Sequence, residues 1–346
     1  MLIAVDAMGG DHGASAVCPG AVEACRRNAA LEVALIGDKA VIEPYLGDVE
    51  TSIRSRINVV HTDEVVEPDE PPTKAIRYKK HSSMRLAMEM VRSGEAQGCV
   101  SSGSTGAIVA GGVLVVGRLK GIERPGLGIL LPTKRPTYLL DAGATVRCKP
   151  LNLVQFALMG SIYMKDVEKL SPEPRVCLLS NGSEEIKGDD VIVAARERLR
   201  LTQDLNFGGY IEANRVPQGD ADVVVCDGFS GNVMLKSFEG LIKFCRELAL
   251  SAVKESLMAK GGALLLYPAF KKLANRVDYQ RYGGASLLGV NGAVVKAHGR
   301  SKPPAITNAI GAAYSFAARG ALDRIREDIA EELARDAAGA LRHSAN

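Results

Sequence analysis

Short apolar runs alternate with longer segments of helical periodicity along almost the whole chain. The apolar runs predict strands, of which the clearest are Leu2–Val5, Val33–Ile36, Ile57–His61, Cys99–Ser101, Leu127–Leu131, Tyr138–Leu140, Val176–Leu179, Val223–Cys226 and Val294–Lys296. The periodic segments predict helices such as Ser82–Arg92, Leu151–Lys165 and Asp189–Leu201. This alternation is typical of βαβ units, so we expect an α/β fold in which helices cover both faces of a mainly parallel sheet.

One region departs from this alternation, and we interpret it as a helical excursion over residues 233–280 within a single domain of residues 1–346. A long helix from Asn232 onward has apolar residues at alternating four- and three-residue spacing, which predicts packing against another helix. These residues are Met234, Phe238, Leu241, Cys245, Leu248 and Ala252. An apolar tip beside basic residues follows, with Leu264, Leu265, Leu266 and Phe270. Such a tip suits a peripheral membrane contact; the alternative is that its leucines pack in the helical bundle of a dimer.

Composition narrows the class of protein. The net charge of +3 argues against a dedicated nucleic-acid binder. Seven cysteines without a Cys-x-x-Cys pair indicate a reducing, cytoplasmic setting and no zinc site. The longest weakly polar run, Ala107–Val116, is too short to span a bilayer, for which about 20 residues are needed. Neither a P-loop nor a dinucleotide fingerprint is present, and no metal site and no cofactor are assigned to the chain.

Five predicted strands end in glycine-rich polar turns, over residues 6–13, 101–107, 141–145, 180–188 and 227–232. The carboxyl ends of parallel strands share one edge of a sheet, where ligands bind. We therefore expect the five turns to converge on one site. Any single turn is explained equally well by glycine making a tight connection.

The turn before the helix predicted at residues 107–118 has the chemistry of an anion cradle, because free N–H groups at a helix start lie beside hydroxyls. It consists of Ser102, Gly103, Ser104, Thr105 and Gly106. Helix capping alone is an equally good explanation of Ser104 and Thr105.

Two further turns carry the candidate catalytic residues, Lys187 and Asn232. Lysine supplies a compact positive charge and asparagine supplies two N–H donors, so together they can hold a phosphate and a developing oxyanion. A solvated loop lysine is the alternative for Lys187. Candidate substrate-binding residues with weaker signals are Asp6, Gly9, Gly10, Asp11 and Asp227; for Asp6 a structural role is favoured.

Several sequence motifs resemble those of the phosphate acyltransferase PlsX family, in the same order and from Leu2 to about Arg319. They are "DAMGGDHG", "SSMRLA", "SSGSTGA", "GIERP", "QFALMGS", "EEIKG", "VCDGFSGN", "YGGASLLG" and "KAHG". The resemblance implies a three-layer α/β/α sandwich related to the phosphotransacetylase and isopropylmalate dehydrogenase folds. It also places the family's catalytic lysine and asparagine at Lys187 and Asn232.

The activity implied by the resemblance is transfer of a fatty acyl group from acyl carrier protein to inorganic phosphate, by a homodimer. The acyl-phosphate then passes to a membrane glycerol-3-phosphate acyltransferase in phospholipid synthesis, which suits a cytoplasmic enzyme with peripheral membrane contact. The sequence departs from the family pattern at Ser104, Thr145, Arg147 and Ser183, which leaves the phosphate ligands open.

A basic run, with Lys74, Arg77, Lys80 and Arg85, is suited to docking the acidic carrier protein, although a solvated helix face explains it as well. Two other functions stay open. One is a short-chain phosphotransacetylase that uses coenzyme A, and the other is a non-catalytic membrane scaffold for fatty-acid enzymes.

Overall fold

A computed structural model describes residues 1–254, 256–277 and 283–344 of the chain. Within these residues eleven strands form one sheet. In chain order they are β1 (Leu2–Asp6), β2 (Glu32–Gly37), β3 (Ile57–His61), β4 (Gly98–Ser101), β5 (Gly126–Leu131), β6 (Thr137–Leu140), β7 (Val176–Ser180), β8 (Phe207–Glu212), β9 (Val223–Val225), β10 (Ala285–Leu288) and β11 (Ala293–Lys296). All nine strands named from the sequence are confirmed; β8 and β10 were not among them.

Helices connect most of these strands. They are α1 (Ala14–Arg27), α2 (Lys39–Ile42), α3 (Thr51–Arg54), α4 (Pro72–Tyr78), α5 (Ser83–Ser93), α6 (Thr105–Gly111), α7 (Pro150–Ile162), α8 (Asp190–Leu199), α9 (Gly228–Lys254), α10 (Leu257–Val277), α11 (Pro303–Ala318) and α12 (Ala321–Ser344). Wider π-type turns extend α6 over Gly112–Val116 and α7 over Tyr163–Glu168.

The sheet consists of two parallel blocks that run in opposite directions. Its strand order is β3-β2-β1-β4-β11-β10-β5-β6-β9-β7-β8. The pairs β11–β10, β10–β5 and β5–β6 are antiparallel, whereas the other neighbours are parallel. Because strand direction reverses at each of these three pairs, the block of β6, β9, β7 and β8 runs antiparallel to the block of β3, β2, β1, β4 and β11.

This arrangement corrects the expectation that all five glycine-rich turns leave one edge of the sheet. The turns after β1 and β4 leave one edge, and the turns after β6, β7 and β9 leave the opposite edge. The prediction assumed one strand direction, and local sequence pattern does not encode direction. Residues from the two blocks can therefore meet only over the central strands.

Helices cover both faces of the sheet, which confirms the three-layer architecture. In β1, Ile3 and Val5 pack in the same apolar cluster as residues of α1 and α11, whereas Ala4 belongs to the cluster of α5 and α6. Successive strand residues point to opposite faces, so every position of a doubly covered strand is apolar. In the other block, α7 and α12 cover Val223 and Val225, and Met234 at the start of α9 lies with Val224 on the reverse face.

The helical excursion is a hairpin of α9 and α10. Phe238 is half-buried against the same apolar cluster as Met234, but beyond it the predicted seam is uncovered, with Leu241 58% and Leu248 52% exposed. The hairpin turns at Ser256, so Leu264–Phe270 lies within α10, about 12–21 Å along the helix from that turn at 1.5 Å per residue. The interpretation of this segment as the tip is therefore wrong, and residues 278–280 of the expected excursion lie outside the described residues. In the ranges described, no helix has both the length and the apolar character to cross a bilayer.

The start of α9 fits closely against the turn after β6. A Cβ atom at Gly231 would lie 1.9 Å from the carbonyl oxygen of Asp141. We expect Gly231→Ala to lower the free energy of unfolding by about 1–3 kcal/mol, because either α9 or the turn must shift. Thermal and urea unfolding would measure the change.

Gly240 offers a matched control in the same helix, since a Cβ there would meet nothing within 4 Å. Gly240→Ala should raise stability by about 0.5–1 kcal/mol through helix propensity. Equal effects of the two substitutions would contradict the close fit at Gly231.

Candidate active site

A cavity of about 220 Å³ lies against the central strands β5 and β10. Its apolar wall includes Leu127 and Ile129, which are two residues apart on β5 and so share one face of the sheet, and Leu235 from α9. The polar lining comes from both blocks of the sheet. Thr105 follows β4 in one block, and Asn232 follows β9 in the other.

Asn232 is held at the cavity by the packing of α9 against the turn after β6. Gly143 in that turn has a φ of 136°, and a Cβ there would lie 3.7 Å from the Asn232 Cβ. The carboxylate of Asp227 accepts the N–H groups of Phe229 and Ser230, both at 2.9 Å, and so caps the first turn of α9. Asp227, a candidate substrate ligand in the sequence, therefore has a capping role in the structure.

Lys296, the last residue of β11, also lines the cavity. Its Nζ donates to the carbonyl oxygen of Ala297 at 3.2 Å. Burial and, next, the charge of Lys236 lower the pKa of Lys296, the charge of Glu239 opposes the shift, and the net result is a fall from the ordinary 10.5 to about 8. Sequence reasoning missed this residue, although a lysine at the end of an apolar strand was a usable signal.

His298 follows β11 and lines the same cavity. Its Nδ1 accepts the backbone N–H of Arg300 at 3.1 Å, which leaves the proton of the neutral ring on Nε2. Burial and, next, the charge of Lys296 lower the pKa of His298. At neutral pH the ring is therefore uncharged.

A more open groove of about 650 Å³ adjoins the cavity. Lys236 and Glu239 line both spaces, and their side chains form an ion pair at 2.7 Å. The groove also has Asp11 and Arg300 on one side, with Lys243 and Arg246 of α9 among its other charged residues. Charged side chains thus surround the approach to a cavity whose inner wall is apolar.

Of the predicted anion cradle, only Thr105 lines the cavity. The Ser102 hydroxyl is buried and donates to the carbonyl oxygen of Gly9 at 2.9 Å, and the Ser104 hydroxyl caps α6 by accepting the N–H of Ala107 at 3.2 Å. Gly103 and Gly106 are needed for packing. A Cβ at Gly103 would lie 2.3 Å from Met84, and a Cβ at Gly106 would lie 2.6 Å from Pro72.

The turn after β1 supports the turn after β4. The buried carboxylate of Asp6 accepts hydrogen bonds from the hydroxyls of Ser83 and Ser101, both at 2.7 Å, and from the N–H of Gly9 at 3.2 Å. These hydrogen bonds give Asp6 the structural role that the sequence analysis favoured. Gly9 and Gly10 pack closely too. A Cβ at Gly9 would lie 3.0 Å from the Gly103 nitrogen, and a Cβ at Gly10 would lie 2.9 Å from the Gly299 carbonyl oxygen.

Lys187 lies on the exposed loop between β7 and α8, and it does not line the cavity that contains Asn232. The stem of its side chain packs over Gly182, where a Cβ would be 2.7 Å from the Lys187 Cγ. Because β7 and β9 are parallel neighbours, the loops that carry Lys187 and Asn232 leave the same edge of the sheet. The two candidate catalytic residues are thus on adjacent loops, but the structure does not bring them into one cavity.

Comparison with known proteins gives the family. Residues 1–324 match the model of the family described as "Fatty acid synthesis protein". The chain is 42% identical over 329 residues to a phosphate acyltransferase of Shewanella amazonensis, with 94% of this chain and 96% of that protein covered. A phosphate acyltransferase of Shewanella baltica is 41% identical over the same share of both chains. The chain belongs to the phosphate acyltransferase PlsX family.

The fold comparison agrees with this placement. A phosphotransacetylase from Streptococcus pyogenes has a TM-score of 0.60 at 17% identity, covering 91% of this chain and 94% of its own. The EutD phosphotransacetylase from Staphylococcus aureus has a TM-score of 0.59 at 15% identity, covering 92% and 94%. At these identities the likeness shows the fold alone.

Membership of the phosphate acyltransferase family makes the chain a transferase that moves an acyl group to phosphate. The cavity suits that reaction, because N–H and O–H donors and a cation adjoin an apolar wall. Thr145, where the sequence departs from the family pattern, is buried and donates from Oγ1 to the Pro125 carbonyl oxygen at 3.0 Å. In this chain its hydroxyl therefore stabilises the turn after β6.

Proposed function

We propose that this chain transfers a fatty acyl group from acyl-[acyl carrier protein] to inorganic phosphate, giving an acyl-phosphate for phospholipid synthesis. The observation that carries the proposal is the cavity itself, which is lined by Asn232 and Thr105 together with the apolar side chains of Leu127, Ile129 and Leu235. A thioester needs both surroundings: donors at its carbonyl oxygen and an apolar lining for its acyl carbons.

In the proposed step an oxygen of HPO₄²⁻ attacks the thioester carbonyl carbon, forming a C–O bond. The C–S bond then breaks and its electron pair leaves on sulfur. The hydrogen of HPO₄²⁻ ends on that sulfur, so the products are the acyl-phosphate dianion and the free thiol. Phosphate is already an anionic nucleophile, and the thiol has a pKa of about 8.5, so placement of the reactants is the main task.

Asn232 donates an N–H group to the carbonyl oxygen as it becomes tetrahedral, and the Thr105 hydroxyl donates to phosphate. We keep Lys187 in the proposal as a cation that approaches phosphate from the neighbouring loop. Its exposed position and its shared sheet edge with Asn232 allow that approach, since a lysine side chain is long and flexible.

The carrier protein is proposed to dock on α4 and the residues that follow it. Lys74, Arg77 and Lys80 are exposed there, whereas Arg85 is turned inward, with its Nε on Glu89 at 2.8 Å and its guanidinium on the Ile76 carbonyl oxygen. We therefore leave Arg85 out of the docking surface. Pro72 at the start of α4 packs against Gly106, next to the cavity residue Thr105, so a docked carrier would lie close to the cavity.

The α9–α10 hairpin is proposed to serve dimerisation and peripheral membrane contact. Apolar side chains are exposed on both helices, including Leu241 and Leu248 on α9 and Leu265, at 83% exposure, on α10. Exposed apolar surface of this extent marks an interaction site. We assign the α9 seam to a second copy of the chain, and Leu264, Leu265, Leu266 and Phe270 to the membrane. A cytoplasmic enzyme held there can pass its product to a membrane glycerol-3-phosphate acyltransferase.

The donor is tested with palmitoyl-[acyl carrier protein] and phosphate, trapping acyl-phosphate as its hydroxamate with hydroxylamine. We expect phosphate-dependent product, and little product from acetyl-CoA. Preference for acetyl-CoA would make the chain a short-chain phosphotransacetylase instead.

Reversing Arg77 and Lys80 to glutamate should raise KM for the carrier substrate about 3- to 10-fold, with Arg92→Glu as the control.

The roles of Asn232 and Lys187 are tested in the same assay. Asn232→Ala should lower kcat about 100- to 1,000-fold, as the loss of one oxyanion donor does. Lys187→Ala should lower kcat/KM for phosphate. Circular dichroism and thermal unfolding show whether each variant is folded. Near-normal rates in folded Asn232→Ala would contradict the proposed mechanism. Near-normal rates in folded Lys187→Ala would show that Lys187 has no part in it.

The membrane surface is tested by flotation with anionic liposomes. Leu265→Glu should weaken partition about 10- to 150-fold, because insertion of one leucine contributes about 1.5–3 kcal/mol. Its dimer, measured by light scattering, should persist, whereas Leu248→Glu should dissociate the dimer. If Leu265→Glu dissociates the dimer and floats as before, these leucines belong to the helical bundle.

A further inference from the structure

The cavity contains a cation that the proposed mechanism does not use. Lys296 is fixed at the end of β11, which pairs with β4 on one side and β10 on the other. Of its three N–H groups, one donates to the Ala297 carbonyl oxygen at 3.2 Å. Lys236, the other lysine of the cavity, is already neutralised by Glu239 at 2.7 Å. Among the residues that the structure describes, Lys296 forms no such ion pair, and a partly buried ammonium of this kind is suited to an anion from solution.

We propose that Lys296 is a catalytic residue that holds the attacking phosphate in this cavity by donating N–H groups to its oxygens. The inference rests on the proposed function and assigns one more residue to the same site. Thr105 lines the cavity from the turn after β4, whose last strand residue, Ser101, is in register with Lys296. Lys296 and Thr105 therefore come from neighbouring parallel strands, whereas the oxyanion donor Asn232 comes from the other block.

Rigidity distinguishes Lys296 from Lys187. Lys296 lies on a central strand bonded on both sides, and Lys187 lies on an exposed loop outside the cavity. A catalytic group must be held to within about 0.5 Å of its productive position, which a central strand does better than a loop. Lys296 thus provides a positive charge at a fixed position in the phosphate site. The charge of Lys187 can reach phosphate only from the exposed loop that carries it.

The charges around Lys296 come from α9 and from the turn after β11. Burial and, next, the charge of Lys236 disfavour the ammonium and Glu239 favours it, and together they leave the pKa of Lys296 at about 8. At pH 7 the free enzyme therefore holds mostly ammonium, and a bound phosphate dianion stabilises that form further. As pH rises through about 8 the free enzyme loses the charge, and phosphate should bind less well.

The test compares Lys296→Met and Lys296→Arg with Lys120→Met, an exposed lysine outside the cavity. Lys296→Met should lower kcat/KM for phosphate about 10- to 100-fold, mainly through KM, while KM for the carrier substrate stays within about 2-fold. Isothermal titration should show weaker binding of inorganic phosphate alone. Lys296→Arg, which keeps the charge, should restore part of both.

The pH profile gives a second readout. The ratio of wild-type to Lys296→Met kcat/KM cancels the titration of phosphate itself, and it should fall as pH rises through about 8, towards 1. For Lys296→Arg this fall should be absent, because a guanidinium stays protonated. A ratio independent of pH from 7 to 9 would contradict a role for the ammonium.

Thermal unfolding separates this role from a structural one. A desolvated ammonium destabilises the fold, so Lys296→Met should raise Tm at pH 7. The pKa is lower in the folded state than the unfolded 10.5, so this gain is full below about pH 8 and shrinks as pH rises above it. A lower Tm with equal losses for both substrates would make Lys296 structural.

The two proposals fail in different ways. If the wild type and Lys120→Met make no acyl-phosphate from any thioester, the proposed function fails. If both are active and Lys296→Met keeps kcat/KM for phosphate within 3-fold, the transfer stands and Lys296 has no part in it.

Discussion

Two buried carboxylates organise the turns from which the cavity is built. Asp141, at the end of β6, is fully buried and accepts the N–H groups of Leu127, Gly143 and Ala144 at 2.9 Å and that of Thr145 at 2.6 Å. Burial raises the pKa of Asp141, and these four N–H groups oppose the shift. In the other block Asp6, at the end of β1, also accepts four hydrogen bonds, two from backbone N–H groups and two from serine hydroxyls. A buried carboxylate is tolerated only when such donors surround it, so both turns are constrained to one conformation.

The reversal of strand direction determines where a site can lie. In a sheet with one strand direction, polar turns meet at one edge. Here the turn of Thr105 and the helix start of Asn232 leave opposite edges, and they meet only because α9 brings Asn232 against the face of β5 and β10. The close approach of Gly231 to the Asp141 carbonyl oxygen is one condition of this meeting, since any larger residue would displace either α9 or the turn after β6.

The sequence predicted the strands well because each is a short, doubly covered apolar run, and Val223–Val225 is the clearest case. It singled out Asn232, which lines the cavity, and favoured a structural role for Asp6. Strand direction was beyond reach, because periodicity is the same for a strand and its reverse. Lys296 was interpreted only as the end of a strand: a lysine that ends an apolar run was a signal, but the residues around it do not show that a cavity opens there. Ser102 and Ser104 have the right chemistry for an anion, but their hydroxyls are used by Gly9 and Ala107.

The division of the cavity between two blocks has a chemical consequence for acyl transfer. Under the proposed roles, Thr105 and Lys296 hold the nucleophile from one block, while Asn232 holds the electrophile from the other. The distance between phosphate and the thioester carbon then depends on the packing of α9 over β5 and β10, and reacting atoms must approach within about 3–3.5 Å. Gly143 lies directly beside Asn232, so the Asp141 turn influences that distance as well. Side chains remote from the reacting atoms can therefore limit the rate, because they position the two blocks relative to each other.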